Sequence, residues 1–211
     1  MILGPAQIVA NTSDPEVAEA RFRRRGYSLA FAATVPNHPA KVVLQAGRRT
    51  SLALRHMTSA TTAPAVELTT YDGDTAGDAS YALAEADGDI LRLDVHTDDA
   101  DASAAFWRHA GFRPHGDVLR FSGLHAAWRL DLRLVPGRRL RTTVDAEGVV
   151  LVTLLTTSAG DDLHDLAAGA RRRTGVWDED VGGRPLRVAM LEGPGGELVE
   201  LIETPSGVAA S

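Results

Sequence analysis

Leu91-Arg92-Leu93-Asp94-Val95-His96-Thr97-Asp98-Asp99 is an alternating strand that runs into an acidic turn, and the amphipathic segment after it closes at Gly111-Phe112. The same phrase occurs at Ala6-Gln7-Ile8-Val9-Ala10-Asn11-Thr12-Ser13-Asp14, closing at Gly26-Tyr27. A looser copy starts at Val149-Val150-Leu151-Val152-Thr153, passes through Asp161-Asp162 and reaches Gly175-Val176. Repetition on this scale means that each copy is one supersecondary unit, which buries its apolar face only against a neighbour.

Working outward, the pattern predicts strands over 6–12, 27–35, 40–46, 50–57 and 65–71, with helices over 14–25 and 75–87 ending at Gly88. After Asp89 it predicts a strand to His96, a helix from Asp99 to Ala110, and strands over 117–121, 127–135 and 139–144. A strand from Val149 to Thr156, a helix over 161–173 and a hairpin over 185–203 complete the chain. The Pro-Gly-Gly turn at Pro194-Gly195-Gly196 joins the hairpin strands, and the second strand sets Glu200 among apolar residues.

That closing hairpin, together with the repeated unit, resembles the vicinal oxygen chelate superfamily, which holds glyoxalases, extradiol dioxygenases and bleomycin-resistance proteins. The resemblance implies an α+β fold of repeated βαβββ units, whose mixed sheets curl into a cup around a metal or a small molecule. It is best over residues 90–204. Residues 1–88 are therefore expected to form a degenerate lobe and residues 89–211 a complete two-unit domain.

A formal charge of -6 excludes nonspecific binding to nucleic acid or to an anionic membrane, both of which need a dense positive surface. The runs Arg23-Arg24-Arg25 and Arg171-Arg172-Arg173 are read as solvated helix ends. There is no cysteine, so thiolate chemistry is excluded. The start, Met1-Ile2-Leu3-Gly4-Pro5, has no basic leader, and no segment is long and apolar enough to span a membrane, so the expectation is a cytoplasmic protein. Arginine-rich, alanine-rich usage with Lys41 as the single lysine reads as the codon bias of a GC-rich bacterium. Neither a phosphate-binding glycine loop nor a Gly-x-Ser-x-Gly elbow is present.

Strand alternation puts Leu91, Leu93 and Val95 on one face and Arg92, Asp94 and His96 on the other. By the same rule Arg129, Asp131 and Arg133 share a face. With Glu200 these groups form the expected polar lining: His96, Asp94 and Arg92 as candidate catalytic residues, and Arg92, Arg129, Asp131, Arg133 and Glu200 as ligand-binding residues. The resemblance implies metal ligands of His, Gln or Glu type from the first and last strands of each unit. Carried over, these positions are Arg92, Asp131, Thr153 or Leu154, and Glu200. Arginine offers no lone pair, so no typical metal centre and no cofactor are expected. A divalent metal is the alternative, held by His96, Asp131 and Glu200, or by Gln7 and Glu67. His38 and His56 are read as surface residues.

The expectation for function is a bleomycin-resistance-like protein that binds a small polar organic molecule in its cup. The alternative is a glyoxalase- or dioxygenase-like enzyme acting on a small oxygenated substrate. Because the first lobe reads as incomplete, an edge of its sheet needs covering, and a homodimer is expected.

Overall fold

Caps and alternation fix the first elements. The computed structural model describes residues 1–73, 79, 81–84, 90–121, 128–137 and 142–204. β1 (Ile2–Asn11) leads into α1 (Pro15–Arg23), whose start is set by Asp14 accepting from the Val17 amide at 3.0 Å and by Pro15 in the first turn. β2 (Tyr27–Pro36), β3 (Ser51–Ser59) and β4 (Ala65–Tyr71) form an antiparallel meander, and β4 returns parallel to β1. This is a complete βαβββ unit.

After β5 (Tyr81–Leu83), a second unit runs through β6 (Leu91–Thr97), α2 (Ala100–His109), β7 (Phe112–His115), β8 (Val118–Phe121) and β9 (Leu130–Pro136). β9 lies parallel to β6. The third unit is β10 (Gly148–Thr156), α3 (Ala159–Leu166), the two-residue β11 (Arg172–Arg173), β12 (Trp177–Val181), β13 (Arg184–Glu192) and β14 (Leu198–Glu203). β14 lies parallel to β10.

Among the described residues the strands make one mixed sheet in the order β2-β3-β4-β1-β10-β5-β6-β9-β8-β7, with β14 on β10 and β13 carrying both β12 and β11. The expected division at residue 88 does not follow this pairing. The first unit joins the third through antiparallel β1 and β10, with Gln7 opposite Thr153. The middle unit hangs from the same β10 through β5, where Tyr81 pairs with Val149. β4 completes the first lobe and β10 covers the β1 edge, while β2 ends the sheet order among the described residues.

Three local readings are corrected. Residues 39–44 are a 3-10 helix instead of a strand, because Pro39 fixes the first position and His38 accepts from the Ala40 amide at 3.2 Å. Tyr81–Leu83 is a strand, bridging β6 and β10, where a helix over 75–87 was expected; residues 75–78, 80 and 85–87 of that span lie outside the described residues. The third helix stops at Leu166, and Arg172 is no solvated end: it pairs with Glu192 and donates to the carbonyls of Val43 at 2.9 Å and Thr142 at 2.8 Å. Of the strand expected over 139–144, residues 139–141 lie outside the described residues.

The core runs continuously under all three units, from Ile8, Met57 and Leu68 through Leu93, Trp107 and Leu132 to Leu154, Leu191 and Leu201. Trp107 and Phe106 are buried core residues of α2. The closing turn docks on α2, where Thr97 and Ser103 share a hydroxyl hydrogen bond of 2.8 Å. A Cβ on Gly195 would lie 2.4 Å from both hydroxyl oxygens, so only glycine fits this contact.

Candidate functional site

The cup lies where the first and third units meet. Gln7 on β1, Glu67 on β4 and Glu200 on β14 line a cavity of about 280 Å³. Thr153 on β10 sits between Gln7 and Glu200 in the strand register. Gln7 Nε2 donates to Glu67 Oε2 at 3.4 Å, and Thr153 Oγ1 donates to Glu200 Oε2 at 2.8 Å. The apolar part of the wall includes Val35, Leu52, Leu54, Leu155, Val188 and Ile202.

Further polar groups come from segments that the sequence did not mark. The 3-10 helix drops Lys41, 6% exposed, into the cavity, where its Nζ lies 3.0 Å from Glu179 Oε1. Trp177 Nε1 donates to Glu179 Oε2 at 3.1 Å and so fixes that carboxylate from the other side. His56, opposite Glu67 in the β3–β4 register, also lines the cavity and stacks on Phe31 with centroids 5.1 Å apart. Arg184 lies over the Phe31 ring as a cation–π partner, 5.3 Å from its centroid. The reading of His56 as a surface residue is thus corrected. His38 stacks on Trp177 at 5.3 Å.

Burial governs the electrostatics. Glu200 is pushed up to about 7, first by desolvation and then by repulsion from Glu67, against the pull of Lys41 and the Thr153 hydrogen bond. Desolvation likewise raises the Glu67 carboxyl, with Lys41 opposing it and Glu179 reinforcing it. Loss of hydration, with the Arg184 charge nearby, lowers His56. A carboxyl near neutrality, tethered to a hydroxyl in a mostly apolar cavity, is a group that exchanges a proton under ordinary conditions.

Of the residues singled out in the sequence, Gln7, Glu67 and Glu200 line this cavity. Arg92, Asp94, His96, Asp131 and Arg133 share the polar face of β6 and β9, in the middle unit. There Asp131, fully buried, takes two bonds from Arg120, 2.7 Å from Nε and 2.8 Å from Nη2, while Arg92 stays 4.0 Å away and 37% exposed. Asp94 takes two bonds from Arg133, at 2.8 and 2.6 Å. Residues two apart on a strand stand about 6.5 Å apart, which is why Asp94 turns to the neighbouring strand and not to His96. Glu200 is brought to Thr153, not to this face. Arg129 is exposed, and its backbone amide bonds to the Thr62 carbonyl at 2.7 Å. Alternation revealed which residues share a face; it carried no signal for Lys41, Glu179 or Arg120, which arrive from other segments.

The metal implied by the family resemblance is tested by these donors. The four central strands offer two carboxylates, one amide and one hydroxyl, and that hydroxyl spends its proton on Glu200. Among the described residues no three His, Asp or Glu side chains converge in a geometry that holds a metal ion. The ammonium of Lys41 stands in the same cavity. This set does not fit a tightly held divalent ion, because an ammonium stands among its donors and its one hydroxyl is committed to Glu200.

No protein-family model matches the chain, and no curated protein matches it. Among solved structures, glyoxalase I from Zea mays superposes with a TM-score of 0.58 at 12% identity, covering 94% of this chain and 92% of that one. A point-substituted form of the same protein gives a TM-score of 0.59 at 13% identity, covering 94% and 93%. Methylmalonyl-CoA epimerase from Mycobacterium tuberculosis gives 0.48 at 11% identity, covering 100% and 93%. The chain shares the fold of glyoxalase I, an α+β arrangement of repeated units, as the repeats and the closing hairpin predict.

Two outcomes follow from this geometry. Removing the Arg120 side chain leaves Asp131 buried without its bidentate partner, so Arg120→Ala is expected to cost about 3 kcal/mol in chemical denaturation, against less than about 1 kcal/mol for Arg92→Ala, whose half-buried side chain makes only a long 4.0 Å ion pair with Asp131. Equal losses would contradict the assignment of partners. Glu200 binds its proton more tightly folded than unfolded, so its contribution to stability is full below pH 4.5 and is lost as pH rises to about 7. Glu200→Gln is therefore expected to gain melting temperature relative to wild type across that window; a constant difference between the two would contradict a raised carboxyl.

Proposed function

We propose that this chain binds a small polar organic molecule in the cup between β1–β4 and β10–β14, in the manner of a bleomycin-resistance-like protein and without a typical metal centre. The observation that carries this reading is the cavity itself: a largely apolar wall with a few convergent polar groups, Gln7, Lys41, Glu67, Glu179 and Glu200, is the usual make-up of a small-molecule site. The polar face of β6 and β9 is a weaker candidate, because its acids are already taken up by arginines. Among the described residues no helix is long and apolar enough to cross a membrane.

A second reading, a glyoxalase- or dioxygenase-like enzyme acting on an oxygenated substrate, draws on one specific group. Glu200, held near neutrality beside Thr153, has the protonation behaviour of a general acid or base. In that reading the proton moves at Glu200, Lys41 and Gln7 orient the substrate, and the apolar wall excludes water.

Chemical-shift mapping with a fragment library checks the placement. Bound fragments are expected to perturb amides of β1, β4, β10 and β14, and Ile202→Trp, which fills the cavity, is expected to abolish those perturbations while the fold's other resonances persist. Perturbations clustered instead around Arg92 and His96 would move the site to the middle unit.

A further inference from the structure

Of the 22 lysine and arginine residues, only residue 41 is lysine, and the fold puts that one side chain into the cup. Guanidinium is a planar fork that wants several acceptors around it, whereas ammonium is a compact charge on a thin stem. Lys41 reaches in from the 3-10 helix and places its Nζ 3.0 Å from Glu179 Oε1, with Glu67 and Glu200 on the same cavity wall. Buried acids of this kind are either paired with a cation or take up a proton, and the donor set does not fit a divalent ion.

We propose that Lys41 is the fixed cation of the cup, taking by charge the place a divalent ion would have beside Glu67 and Glu200, and that its ammonium donates to an uncharged carbonyl or hydroxyl oxygen of the ligand. An ammonium has three N–H donors, and the bond to Glu179 takes one of them. An anionic ligand would face Glu67, Glu179 and Glu200; an organic cation would face Lys41, with Arg184 on the same lining. A neutral oxygen on an apolar body meets neither penalty. This inference rests on the cup being the ligand site, but its first test uses metal alone and does not depend on that reading.

In the full-length protein, Mn2+ binding followed by electron paramagnetic resonance is expected to be absent up to about 1 mM. Lys41→Met keeps the apolar stem and removes the charge; it is expected to gain one Mn2+ site at least about tenfold tighter, lost again in Lys41→Met with Glu200→Gln. One equivalent of Mn2+ held by wild type and unchanged by Lys41→Met overturns the proposal, as does a folded Lys41→Met that binds none. Should Lys41→Met fail to fold, lysine-selective 15N labelling of the wild-type and Glu200→Gln proteins gives a single side-chain ammonium resonance. That resonance is expected to move in Glu200→Gln, and an unmoved one overturns the charge role. With cyclohexanone, cyclohexanecarboxylate and cyclohexylammonium as probes sharing one apolar body, the ketone is expected to shift the Lys41 resonance at the lowest concentration. A charged probe acting first, or no response to any of the three, overturns the ligand class. Backbone shifts confined to β6 and β9 would count against the cup as the ligand site and leave the metal result standing.

Discussion

Between Ile2↔Thr156 and Asn11↔Gly148 the first and third units are zipped together by the antiparallel pairing of β1 and β10, and everything proposed for the cup depends on that seam. Its end is fixed by a buried amide. Asn11 Nδ2 donates to the carbonyls of Val144 and Ala146, the latter at 2.8 Å, while Thr69 Oγ1 donates to Asn11 Oδ1. One side chain thereby ties β1 to β4 and to the segment entering β10. Asp145, fully buried, extends the anchor by accepting from the Ala46 amide at 2.8 Å and from Arg49 Nε at 3.0 Å. Buried groups left without such partners would cost about 1–3 kcal/mol each, which makes the register specific.

From the seam follows the position of each polar group in the cavity. Pairing Gln7 with Thr153 sets the central strands side by side, so that Glu67 and Glu200 approach from the parallel partners β4 and β14. The connection between β2 and β3 then crosses toward the third unit: the Val144 amide donates to the Leu44 carbonyl at 2.9 Å, and Lys41 meets Glu179 on β12. The site is therefore assembled from both units, and neither contains it alone.

The sequence was legible where side-chain period decides structure. β6, β10 and the β13–β14 hairpin follow from alternation, and the α+β unit repeat follows from the recurring strand, acidic cap and helix. What three similar copies do not state is which two share a cup. The choice of the first and third units is made by Asn11 and by the β1–β10 register, contacts distant in sequence that alternation cannot express. Likewise His96 and Glu200 are both polar positions on well-formed strands, yet they belong to different units and faces. Lys41 was hidden because Pro39-Ala40-Lys41-Val42-Val43-Leu44 has the β-branched content of a strand, while Pro39 and the His38 cap wind it into a 3-10 helix.

The central claim is that the cup is made by units one and three, and cross-strand nuclear Overhauser effects test it most directly. The account predicts close contacts between backbone protons of β1 and β10 in the antiparallel register that places Gln7 opposite Thr153 and Ile8 opposite Val152. Contacts linking β10 along its length to β6, with β1 elsewhere, would show a cup formed by the second and third units and would contradict the account.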